Sequence, residues 1–306
     1  MTHRFSLGKI TTQCPQCGRR TFKPYIDNAT GLPLDASSCG RCNREVNCRY
    51  HLTPSAWFAA GGRAPAVPQG WKPPPLPPPD YIAAPPQQAV EHLRRNTLYQ
   101  YLCGVFGEER VLAVFRRYHV AHSYWNGGAT AFFLADAGGH FRSAKLMRYG
   151  TDGHRLKGDN PAFNVTWLHT ILRLKPFNFR ACFFGEHLAA AAPEKTLIVV
   201  ESEKTALIMA CDDCLDKHVY LACGGASAIV PRPELLSNPY GRLAPLKGRD
   251  VILFPDADMT ARWTEAANAL TAWCRTVRIV DITAPPYSLT GSQDIADHII
   301  GKLMLK

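Results

Sequence analysis

The stretch Thr196-Leu197-Ile198-Val199-Val200-Glu201-Ser202-Glu203-Lys204-Thr205-Ala206-Leu207 decides the fold. An unbroken run of β-branched and aliphatic residues ends on a carboxylate. Such a run predicts a strand buried on both faces, and residues 203–211 behind it read as helix. The pattern recurs outward. Val219-Tyr220-Leu221-Ala222-Cys223 is a second strand, closed by Gly224-Gly225. Val251-Ile252-Leu253-Phe254 is a third, residues 260–274 a helix, and Val277-Arg278-Ile279-Val280 a fourth strand. Apolar strands alternating with helices predict a Rossmann-like parallel sheet covered on both sides. Ligands of such sheets gather at the carboxyl ends of the strands. Glu201 directly follows the first strand, and Asp256 and Asp258 directly follow the third. These carboxylates are expected to converge on Mg²⁺ or Mn²⁺, hard cations that prefer oxygen.

Ahead of this region the chain is basic. Residues 1–63 carry 9 basic against 3 acidic groups and residues 64–193 carry 14 against 8, whereas residues 194–306 carry 12 against 14. The whole chain has a net charge of +10, which favours a polyanionic partner for its first two-thirds. Residues 87–118 show helical spacing, broken near Gly104 and Gly107. Ala131-Phe132-Phe133-Leu134-Ala135-Asp136, the turn Gly138-Gly139 and residues 141–147 read as two strands, so residues 87–193 form a small basic α+β module. Lys145, Arg148, Arg155 and Lys157 are candidates to hold template or nucleotide by charge, with Lys204 beside the carboxylates, although a solvated face uses the same residue types. Trp125 and Trp167 are expected in the core.

Residues 64–86 are proline-rich, including Pro73-Pro74-Pro75 and Pro77-Pro78-Pro79, and read as a semi-rigid tether. Before it, residues 1–63 contain Cys14-Pro15-Gln16-Cys17-Gly18 and Cys39-Gly40-Arg41-Cys42. Two such pairs predict a zinc ribbon with structural Zn²⁺ on four thiolates. Spacing alone selects Cys14, Cys17, Cys39 and Cys42, with Cys48 and His51 also within reach. Arg19, Arg20, Lys23, Arg41, Arg44 and Arg49, interleaved with Phe22, Tyr25 and Tyr50, could bind a nucleic-acid backbone and stack bases. No apolar run approaches the roughly 18 residues of a membrane helix. Met1-Thr2-His3-Arg4-Phe5 lacks a signal peptide's apolar core. A cytoplasmic protein is expected, with no membrane partner. No Walker A lysine pattern occurs, so no helicase motor is expected in this chain.

The strand-and-carboxylate order carries a resemblance. Residues 197–207, then Cys223-Gly224-Gly225, then Ile252-Leu253-Phe254-Pro255-Asp256-Ala257-Asp258, resemble the Toprim domain shared by DnaG-type primases, topoisomerases and some nucleases. The resemblance implies Glu201 as acid/base or metal ligand, Asp256 and Asp258 as holders of divalent metal, and Asp294 and Asp297 as the distal part of the pattern. Thr205 stands where many primases carry an acidic residue, and Glu203 is the candidate substitute. Upstream, Phe132-Phe133-Leu134-Ala135-Asp136, Gly139, Lys145, Arg148, Tyr149 and Phe183-Phe184-Gly185-Glu186-His187-Leu188 are similar to the amino-terminal half of a primase polymerase core.

The order is thus zinc ribbon (1–63), linker (64–86), basic α+β module (87–193) and Toprim domain (194–306), an α+β and α/β multidomain chain. It resembles bacterial mobile-element proteins that carry Gly40-Arg41-Cys42-Asn43-Arg44-Glu45, Cys48 and Tyr50-His51. By that likeness the zinc ligands are Cys14, Cys17, Cys42 and Cys48, with Cys39 the alternative. The implied function is a primase-like DNA-dependent nucleotidyltransferase in mobile-element DNA replication. It would use single-stranded DNA and nucleoside triphosphates, with a separate replicative helicase as the partner the family suggests. The alternatives are a Toprim metal-dependent nuclease and a non-catalytic single-stranded-DNA-binding accessory protein.

Overall fold

The computed structural model describes residues 5–8, 11–28, 30–44, 47–64, 78–156, 165–213, 216–231 and 240–305. Most of the proline-rich tether and Lys157 lie outside the described residues. The chain divides into two units, the first within Met1–Pro77 and the second spanning Pro78–Pro231 and Leu235–Lys306. Among the described residues, no helix is long and apolar enough to cross a membrane.

In the first unit, β1 (Phe5–Leu7), β2 (Phe22–Asp27), β3 (Gly40–Cys42) and β4 (His51–Leu52) form an antiparallel sheet in chain order, followed by the short helix α1 (Pro54–Ala59). Its core is tiny. Phe22 is fully buried, meets Tyr50 edge-on at 5.8 Å, and packs with Cys14, Cys42 and Cys48. The β2–β3 pairing brings Phe22 so close to Gly40 that a Cβ there would stand 2.4 Å from its ring. Glycine is therefore required. A core this small supplies little burial energy, so a structural metal would contribute folding energy directly.

The second unit holds two sheets. Helices α2 (Val90–Leu93), α3 (Thr97–Phe106) and α4 (Glu108–Arg117) lead into β5 (Val120–Ser123), β6 (Ala129–Ala135), β7 (Phe141–Met147) and β8 (Val165–Trp167). These strands pair antiparallel in chain order. Gly107, at φ 83°, separates α3 from α4 and cannot be replaced there without strain. Three helices stand where the sequence pattern suggested two. The short helices α5 (Leu168–Ile171) and α6 (Glu186–Ala191) lead on to the parallel sheet.

That sheet contains β9 (Thr196–Val200), β10 (His218–Ala222), β11 (Asp250–Leu253) and β12 (Thr276–Ile279), in the order β10-β9-β11-β12. Alternation along the strands divides the core. Ile198, Val200, Tyr220 and Ala222 face α7 (Glu203–Asp212), α3, α4 and Phe132 and Leu134 of β6. Leu197, Val199, Val219, Leu221, Val251 and Leu253 face the opposite layer, with Trp263, Ala266 and Leu270 of α8 (Thr260–Leu270). Both faces of β9 and β10 are thus covered, as their apolar runs require, whereas the edge strand β12 exposes Thr276 and Arg278, so the expected cover on both sides does not extend to it. The last helix, α9 (Ile295–Met304), packs on α7. Trp125 and Trp167 are half-buried rather than central, because each packs only at the margin of its cluster.

Trp263 is fully buried, and its indole nitrogen has no hydrogen-bond partner among the described residues. Trp263→Ala should cost about 3–5 kcal/mol of unfolding free energy in urea melts. Trp263→Phe, which deletes the orphaned N–H, should stay within about 1.5 kcal/mol of the parent.

Candidate functional site

Two groups of chemistry-bearing side chains stand out, one in each unit. In the first, a turn over residues 15–17 is closed by Gly18 N–H donating to Cys14 O at 2.9 Å. It aims Cys14 and Cys17 the same way. The sulfurs of Cys14, Cys17, Cys42 and Cys48 lie within 4.8 Å of one another. Cys14 and Cys48 are 3.7 Å apart, and Cys17 and Cys42 are 4.0 Å apart. Tetrahedral zinc with Zn–S bonds of about 2.3 Å implies sulfur separations of about 3.8 Å. The cluster therefore fits structural zinc. The Arg19 N–H holds the Cys17 thiol down at about 6, and the Thr21 hydroxyl, 3.2 Å from Cys42 Sγ, lowers that thiol too. Both favour the thiolate form that binds metal.

Cys39 stands apart. It is fully buried, its sulfur faces Leu52 O at 3.9 Å, and burial pushes its thiol up to about 11. The chain is extended from Gly40 to Cys42, so side chains three positions apart point to opposite faces. Spacing alone could not show this. Cys39→Ser should retain about one zinc per chain, whereas Cys48→Ser should lose it, read by thiol-displaced zinc in a colorimetric assay. Arg19 and Arg20 are exposed on the adjoining turn.

In the second unit, the strand order reverses between β10 and β11 on either side of β9, which creates a crevice at the carboxyl ends. A cleft of about 550 Å³ opens there, lined by Glu201, Ser202, Glu203, Lys204, Gly224 and Asp256 from the parallel-sheet side. Lys145, Met147, Tyr149, His154 and Arg155 line it from the antiparallel module, and Ser292 joins them. Ser202 caps α7 by accepting from Thr205 N–H at 3.1 Å, which fixes the turn that carries Glu201. Gly224, at φ 76°, donates its N–H to Glu201 O at 2.8 Å. The loop bearing Asp256 and Asp258 is tied down by Ala257 N–H to Gln293 O and Asp258 N–H to Gly291 O, both 2.9 Å.

Burial pushes the Asp256 carboxyl up to about 8, reinforced by the charges of Glu201, Asp294, Asp258 and Asp297. Of these carboxylates Glu201 and Asp256 line the cleft, and a divalent cation between them would relieve their mutual repulsion. The oxygens are more loosely gathered than the sulfurs. Among the described residues, the four cysteines alone bring three or more ligand atoms within 4.8 Å.

Two pairings escaped sequence reasoning. Lys145 Nζ, on β7, lies 3.0 and 3.1 Å from the Glu203 oxygens, and the two side chains are 14% and 3% exposed. Asp294 caps α9, accepting from Ala296 N–H at 2.9 Å, while its second oxygen accepts from the Thr205 hydroxyl at 2.5 Å. Asp297 completes the capping box by accepting from Asp294 N–H at 2.9 Å. The Asp-x-x-Asp spacing before an apolar run is a readable capping signature. No local signal announces the Lys145–Glu203 pair. Among the other expected basic residues, Arg155 lines the cleft, Lys204 lines it and donates to Gly153 O at 3.2 Å, and Arg148 does not line it.

Removing one partner of a buried ion pair leaves an uncompensated charge. Lys145→Met should destabilise the protein by about 3–5 kcal/mol in chemical melts. Lys145→Met/Glu203→Met should recover most of that loss, which a merely steric role for Lys145 would not produce.

A model of the zinc beta-ribbon finger family matches residues 3–62. No curated protein matches the chain. Among solved structures, the primase fragment of the bacteriophage T7 primase-helicase aligns at 17% identity and a TM-score of 0.41, covering 98% of this chain and 99% of that one. The Aquifex aeolicus primase, comprising zinc-binding and RNA polymerase domains, aligns at 11% identity and a TM-score of 0.36, covering 98% and 79%. Likenesses at these scores carry no assignment. The family described as a domain of unknown function, DUF6371, matches residues 96–257. That match spans more than half of the sequence and includes strands β5 to β11, the cleft-lining cations, Glu201 and Asp256, so the chain belongs to the DUF6371 family.

Proposed function

We propose that this protein is a primase-like, DNA-dependent nucleotidyltransferase whose parallel-sheet region is a Toprim domain. The observation that carries the reading is the composition of one cleft. Carboxylates from two strand ends, Glu201 and Asp256, share a cleft of about 550 Å³ at the switch point of the sheet with Lys204 beside them and with Lys145 and Arg155 from the antiparallel module. Carboxylates opposed to cations suit a nucleoside triphosphate with its divalent metal. The same carboxylates without cations would suit a bare metal.

Glu201, Asp256 and Asp258 are the residues that would hold Mg²⁺ or Mn²⁺. When bound, the metal polarises phosphoryl oxygens and lowers the pKa of an attacking hydroxyl. The chain's own groups have separate tasks. Arg155 and Lys204 draw the triphosphate by charge, and Lys145, aimed by Glu203, adds a fixed positive charge on the module side. Gly224 lacks a side chain where the backbone turns beside Glu201, so a phosphate can approach closely. In this reading Glu201 would take the proton of the attacking 3′-hydroxyl. In the zinc-binding unit, β2 and β3 pair Lys23 with Arg41, and Arg41 pairs with His51, whose ring stacks on Tyr25 at 6.0 Å. A row of cations beside stacked rings suits a single strand.

The test is primer synthesis on mixed single-stranded DNA with labelled nucleotides and Mn²⁺ or Mg²⁺. The parent should make products at least about tenfold above Asp256→Ala/Asp258→Ala, since loss of even a supporting partner of a metal ligand typically costs about 10- to 100-fold. Shortened template without products would make the protein a metal-dependent nuclease. Salt-sensitive DNA binding unaffected by the double substitution, with neither activity, would make it an accessory protein.

A further inference from the structure

Away from the cleft, the fold brings three arginines into one neighbourhood and neutralises one of them. Arg142, at the start of β7, is the anchored one. Its Nε donates to Asp136 Oδ2 at 3.0 Å, and the two side chains are 6% and 7% exposed. Its Nη1 donates to Tyr240 O at 3.0 Å and to Arg180 O at 3.4 Å. Arg142 thereby ties the segment ahead of α6 to the segment ahead of β11. Each of these segments carries an arginine of its own, Arg180 in the first and Arg242 in the second. Arg242 also stands near the carboxyl end of β10. Burial pushes the thiols of Cys182 and Cys223 up, Arg242 pulls both the other way, and Cys223 directly follows β10.

Arg180 and Arg242 have no counter-charge. Neither makes an ion pair or a side-chain hydrogen bond among the described residues, and the Nε of each is fully buried without an acceptor. Both residues are half-buried, so neither is sealed from solvent. The nearby acids are already spent. The other oxygen of Asp136 accepts from the N–H groups of Gly138 at 3.0 Å and His140 at 3.1 Å. The oxygens of Glu186 accept from Ala137 and Phe183 N–H, both at 3.1 Å. Burial pushes the Glu186 carboxyl up to about 7, so it carries only part of a charge near neutral pH. None of the three arginines lines the cleft that holds Glu201 and Asp256.

A desolvated N–H without an acceptor is a cost that an ordinary surface arginine avoids by turning to water. A bound oxyanion would relieve it by drawing each guanidinium onto its oxygens. Phosphate suits the pair better than a carboxylate, because it offers more oxygens than one fork can use and can serve two.

We propose that Arg180 and Arg242 form a phosphate-binding site separate from the cleft, with Arg142 and Asp136 positioning the two segments that carry them. The ligand is a phosphoryl group, borne by a nucleoside triphosphate or by a nucleic-acid backbone. The site lies beyond the chemistry proposed for the cleft and needs no metal there.

The test uses the zinc-loaded full chain without added divalent cation. The probes are inorganic pyrophosphate, ATP and mixed-sequence single-stranded DNA. Phenylglyoxal modification of each arginine is followed by mass spectrometry of the peptides. A probe well above its dissociation constant should slow modification of Arg180 and Arg242 by at least about tenfold, as mass action requires. Exposed Arg173 and Arg262 should react at an unchanged rate. Protection by DNA alone assigns the site to a backbone phosphate, and protection by ATP and pyrophosphate assigns it to a triphosphate. No protection by any probe, a result that needs no variant, would overturn the proposal, as would equal protection of Arg173 and Arg262. Arg180→Gln/Arg242→Gln should then weaken the protecting probe by at least about tenfold, since hydrogen bonds to charged groups contribute about 1.5–3 kcal/mol each. If that probe is DNA, the slope of log K against log salt should shrink by about 1.4, at about 0.7 per phosphate contact. Arg173→Gln/Arg262→Gln removes the same charge from exposed positions, and a loss as large in that control would also overturn the proposal. Primer synthesis enters neither readout, so the cleft's function can fail while this site stands.

Discussion

Strands β9 and β10 of the parallel sheet have no face that tolerates water, and the second unit is organised by the need to cover them. Val199 and Leu253 point to one side, and Ile198 and Tyr220 to the other. Helix α8 covers the first side. The second is covered by α7 together with α3, α4 and the antiparallel sheet, through Phe132, Leu134 and Phe184. A shared apolar core therefore binds the module to the sheet. Phe184 pairs with Ala222 across the join, and the Tyr118 hydroxyl donates to Tyr220 O at 3.1 Å.

That packing produces the cleft. Because the module lies against the face carrying Ile198, Val200, Tyr220 and Ala222, the end of β7 shares a cleft with Glu201 and Asp256, which follow β9 and β11. Lys145 is delivered opposite Glu203, and Arg155 opposite Glu201 and Asp256. The electrostatics follow from the geometry. Acidic loops from the sheet meet cations from the module in a partly desolvated space, where charge interactions are stronger than in water. Burial and four neighbouring carboxylates hold Asp256 toward its protonated form. The first unit solves a different problem. With Phe22 as the one large buried ring among its described residues, its four clustered cysteines supply the centre that an apolar core would otherwise provide.

Much of this was legible in the chain. The run ending at Val200 was readable as a strand because nothing polar interrupts it, and the strands expected at residues 219–223 and 251–254 lie one residue earlier in the structure. The helix expected over 260–274 ends at Leu270, since residues 271–274 turn rather than continue. The cysteine ligands were harder. Both Cys-x-x-Cys pairs look alike as text, but the first is a turn and the second leads into an extended strand, which sends Cys39 and Cys42 to opposite faces.

The sequence by itself determined the alternation of strand and helix, the placing of Glu201, Asp256 and Asp258 at strand ends, and the presence of a thiolate cluster. These depend on residues close together in the chain, through hydrophobic period and ligand spacing. Only the tertiary structure decided which carboxylates are spent on partners within the fold. Thr205 meets Asp294 across 89 residues, and Lys145 meets Glu203 across 58. Such partners are chosen by how sheets and helices pack, and no local pattern carries that information.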